Sequence, residues 1–147
     1  MTTSESFSVR DADASRRRVG YSVSIAVNAV LLGAVLGWPG WEAVPFLTDD
    51  FSRILGWMVA PLIAAIVANA IYLVADPTPV RALGELVVNA FGLAALIRLW
   101  QVFPFDFGDT AVPWPTIARV VVVVGIAGTA VAMVVVIVQT VRQRNSP

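Results

Sequence analysis

The composition of this 147-residue chain is that of a membrane protein: 58% of its residues are apolar, 14% are charged, and the formal net charge is zero. Soluble domains average about 45–50% apolar and about 25% charged residues, and a zero net charge indicates no nucleic-acid partner. The chain has no Cys and no His, and all 10 cationic residues are Arg. Thiolate and imidazole chemistry and a Schiff base on Lys are therefore excluded. We expect no cofactor, no metal site and no enzymatic activity, although carboxylates could still hold a hard cation.

The N-terminal segment differs sharply from the residues that follow it. Residues 1–18 are polar and charged and have no apolar periodicity, which predicts a flexible tail ending at Arg16-Arg17-Arg18. The next segment, residues 19–38, carries no charge. At 1.5 Å per residue, a helix of this length crosses a hydrocarbon core of about 30 Å. We predict that it is the first transmembrane helix.

Three further spans follow. Residues 54–75 form an uncharged run in which Pro61 predicts a kink. The sequence Asp76-Pro77-Thr78-Pro79 then predicts a turn. The third span covers residues 82–103, and the fourth covers residues 117–141. The long Val run of the fourth span would suggest a strand in water, but a lone strand cannot satisfy its backbone in lipid, so we predict a helix.

The predicted fold class is an all-α integral membrane protein, a four-helix transmembrane bundle built from two sequential inside–outside–inside hairpins. Arginine distribution sets the orientation, because cytoplasmic loops are enriched in positive charge. The tails (residues 1–18 and 142–147) and the central turn contain Arg10, Arg16, Arg17, Arg18, Arg81, Arg142 and Arg144, whereas the opposite side of the membrane has only Arg53 and Arg119. We therefore expect a multi-pass protein of the cell membrane with both termini cytoplasmic. Codon bias in a GC-rich genome would explain the missing Lys. The membrane that we expect is a bacterial inner membrane.

The two hairpins also resemble each other. Val27-Asn28-Ala29 is matched by Val88-Asn89-Ala90, and Pro45-Phe46 is matched by Pro104-Phe105. A duplication of two spans would place a pseudo-two-fold axis along the membrane normal. Convergence on the needs of the bilayer would produce the same pattern, so both explanations remain open.

Four polar residues within the spans are candidates for a site. Asn28, Asn69 and Asn89 lie about 10–14 Å from the cytoplasmic boundary in three different helices, which predicts one polar layer. Such a layer would either line a substrate or ion path or form interhelical hydrogen bonds. Glu85 lies one turn before Asn89 and is spaced to pair with Arg81. It is either a solvated carboxylate at a helix start or a group that handles a cation or proton.

Arg98 is the second charged residue within the third span. It lies near the outer boundary, and its helical stripe is about 180° from that of Asn89. It therefore either snorkels to the outer interface or forms a salt bridge with an acid of the outer loops or of a partner. The acids concerned are Glu42, Asp49, Asp50, Asp106 and Asp109.

The outer loops are unusually aromatic, and the helices contain small-residue motifs. An interfacial aromatic belt or a docking surface would explain the rings, which are Trp38, Trp41, Phe46, Phe51, Trp57, Trp100, Phe103, Phe105, Phe107 and Trp114. Gly33-x-x-x-Gly37, Gly125-x-x-x-Thr129 and Gly128-x-x-x-Ala132 permit close helix contacts within or between chains.

The expected function is that of a non-catalytic accessory or scaffold protein, which acts through helix packing and its aromatic, acidic outer face. The alternative is a homo-oligomeric channel or transporter, with the Asn residues and Glu85 along a polar path. Four helices around one axis leave little lumen, so a pore would need several copies. The expected partners are the lipid bilayer and either a second copy or another membrane protein.

Overall fold

The computed structural model describes residues 3–145, with side chains from Val9 onward. Within this part the chain forms four long helices: α1 (Thr3–Leu36), α2 (Leu55–Val74), α3 (Thr78–Val102) and α4 (Trp114–Arg144). Each contains a segment long and apolar enough to cross a membrane, and no strand occurs between residues 3 and 145. The prediction of an all-α protein with four candidate membrane spans is confirmed.

The N-terminal segment is helical in the structure. Over the residues for which the sequence predicts a flexible tail, 1–18, α1 begins at Thr3 and continues without a break into the apolar segment; the flexibility of the tail stays a prediction. Once the apolar segment has formed a helix, each added residue gains a backbone hydrogen bond without a new nucleation cost. Ala12, Ala14 and Arg16 also favour helix. Residues 1, 2, 146 and 147 of the predicted tails lie outside the described residues.

Prolines delimit the other helices. The α2–α3 turn has Pro77 in an extended conformation, and a proline occupies the first turn of both α3 and α4, where its missing N–H costs nothing. Helix α3 ends at Val102, and its C-cap residue Phe103 adopts a left-handed conformation with φ 45° before Pro104. Helix α2 contains Pro61 and runs unbroken from Leu55 to Val74.

The helices pack in chain order, as an open layer. Helix α1 packs on α2, α2 on α3, and α3 on α4, and any contact between α1 and α4 within residues 3–145 is minor. A closed bundle with a two-fold axis would require α1 to pack on α4 as α2 packs on α3. Lipid tails are as apolar as the helices, so no hydrophobic force compels the layer to close.

The two ends of this layer are built differently. The end with both chain termini and the α2–α3 turn is here named the terminal end, and the opposite end, with the α1–α2 and α3–α4 connections, is the loop end. The buried core cluster of Phe51, Ile54, Leu99 and Val122 lies toward the loop end. There the two connections also pair: Thr48 N donates to Pro104 O at 3.0 Å, and Asp106 N donates to Phe46 O at 3.0 Å.

Candidate functional site

The three Asn side chains of the predicted layer are partly buried, but the hydrogen bonds of these described residues do not join them to one another. Nδ2 of Asn28 donates to the backbone oxygen of Ser24 at 2.8 Å. Nδ2 of Asn69 donates to that of Ala65 at 2.7 Å. Both acceptors lie one turn earlier in the same helix, so these amides are satisfied locally. A path or an interhelical contact made by this layer stays a prediction.

Glu85 is exposed and lines a polar pocket between α3 and α4 at the terminal end. The pocket has a volume of about 220 Å³, and Gln139, Thr140 and Gln143 of α4 contribute to its wall. Arg81, which is spaced to pair with Glu85, instead places Nε 3.1 Å from Oδ1 of Asp76. Arg81 also lines this pocket, so the carboxylate of Glu85 shares it with one guanidinium group and with the neutral polar side chains of α4.

Arg98 lies on the exposed side of α3 near the loop end. Its guanidinium lies over the Trp57 ring, 5.3 Å from the ring centroid, and Nη1 donates to Oε1 of Gln101 at 3.2 Å. Within the described part of the chain it forms no ion pair with a loop acid. The intrachain salt bridge proposed from the sequence is therefore absent, and the remaining interpretations are snorkelling and a salt bridge to a partner.

We expect Arg98→Leu to leave the melting temperature in detergent unchanged or slightly raised. The cation–π contact at this exposed site contributes about 0.5–1 kcal/mol, and Leu is favourable in hydrocarbon where Arg is costly. Arg119→Leu is the matched comparison, because the Arg119 guanidinium lies 4.1 Å from the Phe103 centroid and 5.1 Å from that of Trp100. A larger loss of stability for Arg98→Leu than for Arg119→Leu would indicate a carboxylate partner for Arg98 on another chain.

The paired connections at the loop end form a continuous aromatic surface. Phe46 stacks on Phe107 with centroids 5.6 Å apart, Phe107 stacks on Phe105 at 5.8 Å, and Phe107 lies 6.3 Å from Trp114. Phe46 belongs to the first connection, Phe105 and Phe107 belong to the second, and Trp114 begins α4. The β-bridge between Leu47 and Phe105 joins the two connections. We refer to Phe46, Phe105, Phe107 and Trp114 as the aromatic surface.

A shallow pocket adjoins the aromatic surface. It has a volume of about 800 Å³ and is lined by Pro45, Phe46, Leu47, Thr48, Asp106, Phe107, Gly108 and Trp114. Its only charged group is the Asp106 carboxylate, whose Oδ1 accepts a hydrogen bond from the backbone N of Gly108 at 2.9 Å. Aromatic walls beside a carboxylate suit an amphipathic partner with a cationic group.

A polar cluster at the terminal end joins three of the helices. Oδ2 of Asp76 accepts a hydrogen bond from Nε of Arg17 at 3.0 Å, and its Oδ1 accepts one from the Tyr21 hydroxyl at 2.9 Å. The Tyr21 ring packs on Tyr72 with centroids 5.3 Å apart, and the Tyr72 hydroxyl donates to the backbone oxygen of Arg81 at 3.1 Å. Asp76 in the turn therefore links α1 to the start of α3. We name Arg17, Tyr21, Tyr72, Asp76 and Arg81 the Asp76 cluster.

The electrostatics of the Asp76 cluster favour the ionised carboxylate. Partial burial acts to raise the pKa of Asp76, but the hydrogen bonds from Tyr21 and Arg17 and the charge of Arg81 outweigh it, and the pKa lies below its usual value. Two arginines therefore surround one carboxylate, and the cluster retains a net positive charge.

Sequence reasoning missed the Asp76 cluster, because it assigned Asp76 only to a turn. A signal was available in the tyrosines. The chain has 2 Tyr residues, and Tyr21 and Tyr72 each lie a few residues inside the terminal-end boundary of a predicted span. Two phenols at one depth on sequential helices, beside an acidic turn, indicate a hydrogen-bonded cluster.

Among the described residues no group of three or more His, Cys, Asp and Glu side chains is arranged to hold a metal ion. No protein-family model matches the chain, and no curated protein sequence or solved structure matches it significantly. Any functional conclusion therefore rests on the helix layer, the aromatic surface and the Asp76 cluster.

Proposed function

We propose that this chain is a non-catalytic accessory or scaffold subunit of a membrane assembly, which binds other membrane proteins through its outer helices and its aromatic loop end. The observation that carries the proposal is the open layer. The most apolar 18-residue window of α1 has 0% of its residues buried. Helix α1 packs on α2 alone among the long helices of the described chain and buries none of these residues, so its remaining surface is available to pack against helices of another chain.

Two further features support this proposal. A Cβ atom built at Gly33 or Gly128 meets nothing within 4 Å, so these small residues face no close neighbour within the described chain. Small residues allow helices to approach closely in lipid. At the loop end Trp38 is 89% exposed, and exposed Trp residues are frequent anchors of protein interfaces.

Site-specific photocrosslinking in cells tests the proposal. Val30 of α1 is 70% exposed, and Leu83 of α3 is 65% exposed, so a photoreactive amino acid is tolerated at either position. We expect a discrete protein adduct from position 30, with its partner identified by mass spectrometry, and no protein adduct from position 83. The absence of an adduct at position 30, and also at Trp38, would refute the proposal.

A homo-oligomeric channel or transporter is the second candidate, and the pocket beside Glu85 favours it. This polar pocket lies one turn from Asn89, so it would form the entrance to a path through the predicted Asn layer. Because the chain has no native Cys, single Cys replacements of Asn28, Asn69 and Asn89 can be labelled without background. Protection from a water-soluble maleimide is expected for a scaffold, whereas reaction at all three positions would favour a path.

We further propose that the terminal end is cytoplasmic, in a bacterial inner membrane. The support is the arginine excess of the two tails and the α2–α3 turn. Reporter fusions after Val80 and at the C-terminus should read cytoplasmic, and a fusion within residues 106–112 should read external. A cytoplasmic signal from the last fusion would refute this orientation.

A further inference from the structure

An apolar groove runs along the exposed side of α2 and α3. It has a volume of about 550 Å³, and its walls include Ile63, Val67 and Ile71 of α2 and Leu83, Val87 and Phe91 of α3. These six side chains are between 41% and 65% exposed. From Ile63 to Val74 the α2 stripe is about 16 Å long at 1.5 Å per residue. One leaflet of a hydrocarbon core of about 30 Å has nearly the same depth.

The groove leads to a basic pocket at the terminal end. Val67 and Ile71 line both the groove and the adjoining surface of α2, and that surface continues to Val74. Val74 is 92% exposed and also lines a pocket of about 250 Å³ formed with Arg17 and Arg18 of α1. The apolar groove and the adjoining surface of α2 therefore extend over the depth of one leaflet and end beside two guanidinium groups.

The charge at this pocket is positive and partly uncompensated. Arg17 and Arg81 share the single carboxylate of Asp76. Arg18 is exposed and forms no ion pair with any residue in the described part of the chain. Guanidinium groups bind phosphate with bidentate hydrogen bonds, and basic pockets beside membrane helices attract anionic headgroups.

We propose that the α2–α3 groove and the basic pocket together bind one anionic phospholipid, with an acyl chain along Ile63, Val67 and Ile71 and the phosphate at Arg17 and Arg18. The groove alone would accept any acyl chain, so the arginines confer the preference for an anionic headgroup. This proposal concerns the terminal end and the membrane face of α2 and α3. It therefore does not depend on the proposed scaffold function, whose protein adducts are expected at positions 30 and 38, outside the groove and the basic pocket.

Native mass spectrometry of the purified full chain tests this site. The detergent-solubilised protein is titrated with phosphatidylglycerol or phosphatidylcholine that carry identical acyl chains. We expect one phosphatidylglycerol to be retained per chain in preference to phosphatidylcholine. Arg18→Gln should weaken that retention about fivefold, as expected for one Arg near a headgroup. Arg144→Gln is the control. It also removes one positive charge from the terminal end, but away from the groove, so it should leave the retention of phosphatidylglycerol unchanged.

A second variant tests the groove without changing charge. Val67→Trp places a large side chain in the groove at a position that is 52% exposed, so we expect an unchanged melting temperature and a loss of the retained lipid. Three results would overturn the proposal: equal retention of both lipids, equal effects of Arg18→Gln and Arg144→Gln, or unaltered retention in Val67→Trp. A second copy of the chain in place of the lipid, seen as a dimer mass that Val67→Trp abolishes, would also overturn it.

Discussion

Gly84→Ala is expected to destabilise the protein by about 1–3 kcal/mol, although it adds a single methyl group. A Cβ atom at residue 84 would overlap the hydroxyl of Tyr72 and lie 2.8 Å from its Cζ. The Tyr72 ring has little room to move, because the residue is 7% exposed and packs on Tyr21. The methyl group therefore either separates α2 from α3 or displaces Tyr72 from its hydrogen bond to Arg81. Thermal melting in a mild detergent measures the loss.

Gly92→Ala is the matched control for this substitution. Gly92 lies two turns further along α3, and a Cβ atom there meets nothing within 4 Å. Ala is also the better helix former, so this variant should be as stable as the wild type or slightly more stable. If the clash with Tyr72 is the cause, Gly84→Ala should cost much less in a Tyr72→Ala background. Equal melting temperatures for the two glycine variants would contradict the close α2–α3 contact.

Asp76→Asn is expected to cost about 1–2 kcal/mol, because it leaves the cationic groups of Arg17 and Arg81 without their carboxylate. The Asp76 side chain is 27% exposed, which places the effect between that of a surface pair and that of a buried pair. Asp50→Asn is the control. Its partner Arg53 is 3.4 Å away, and the two side chains are 58% and 74% exposed, so a change below about 0.5 kcal/mol is expected.

The contribution of Asp76 should depend on pH. Because the pKa of Asp76 is lowered in the folded protein, its stabilising effect is complete above the ordinary Asp value of about 4. It is lost as the pH falls through the lowered value. Melting curves of wild type and Asp76→Asn between pH 7 and pH 3 should therefore converge at the acid end. A constant difference between them across this range would show that the charge of Asp76 does not stabilise the fold.

The number and approximate positions of the helices can be predicted from this sequence. A charge-free run such as residues 54–75 can satisfy its backbone hydrogen bonds in lipid only by forming a helix. The observed α2, Leu55–Val74, ends within one residue of that run at each side. The tail is different. Residues 3–18 continue α1 because a helix extends cooperatively from the neighbouring span. The composition of residues 1–18, taken alone, does not include this effect of the neighbouring helix.

The candidate sites are less predictable, because they depend on which helices meet. Arg17 and Tyr21 lie far from Asp76 in the sequence, and no periodicity connects them. The depth of Asn28 and Asn69 in the membrane follows from a residue count. Whether their amides donate to a backbone oxygen of the same helix, as observed, or to a group on a neighbouring helix depends on how the helices pack. The open layer could not be predicted from the sequence either, because lipid supplies no hydrophobic force that would favour a closed arrangement of helices over an open one.

The pairing of the two connections has a consequence for the order in which the protein is made. The backbone O of Phe46 and N of Thr48 find their partners at Asp106 and Pro104, which the ribosome adds only after the whole of α3. The first hairpin is therefore made with these two backbone groups unpaired, and they find their partners only when the second hairpin has been added. A truncated product that ends after α2 would leave the same two groups unpaired.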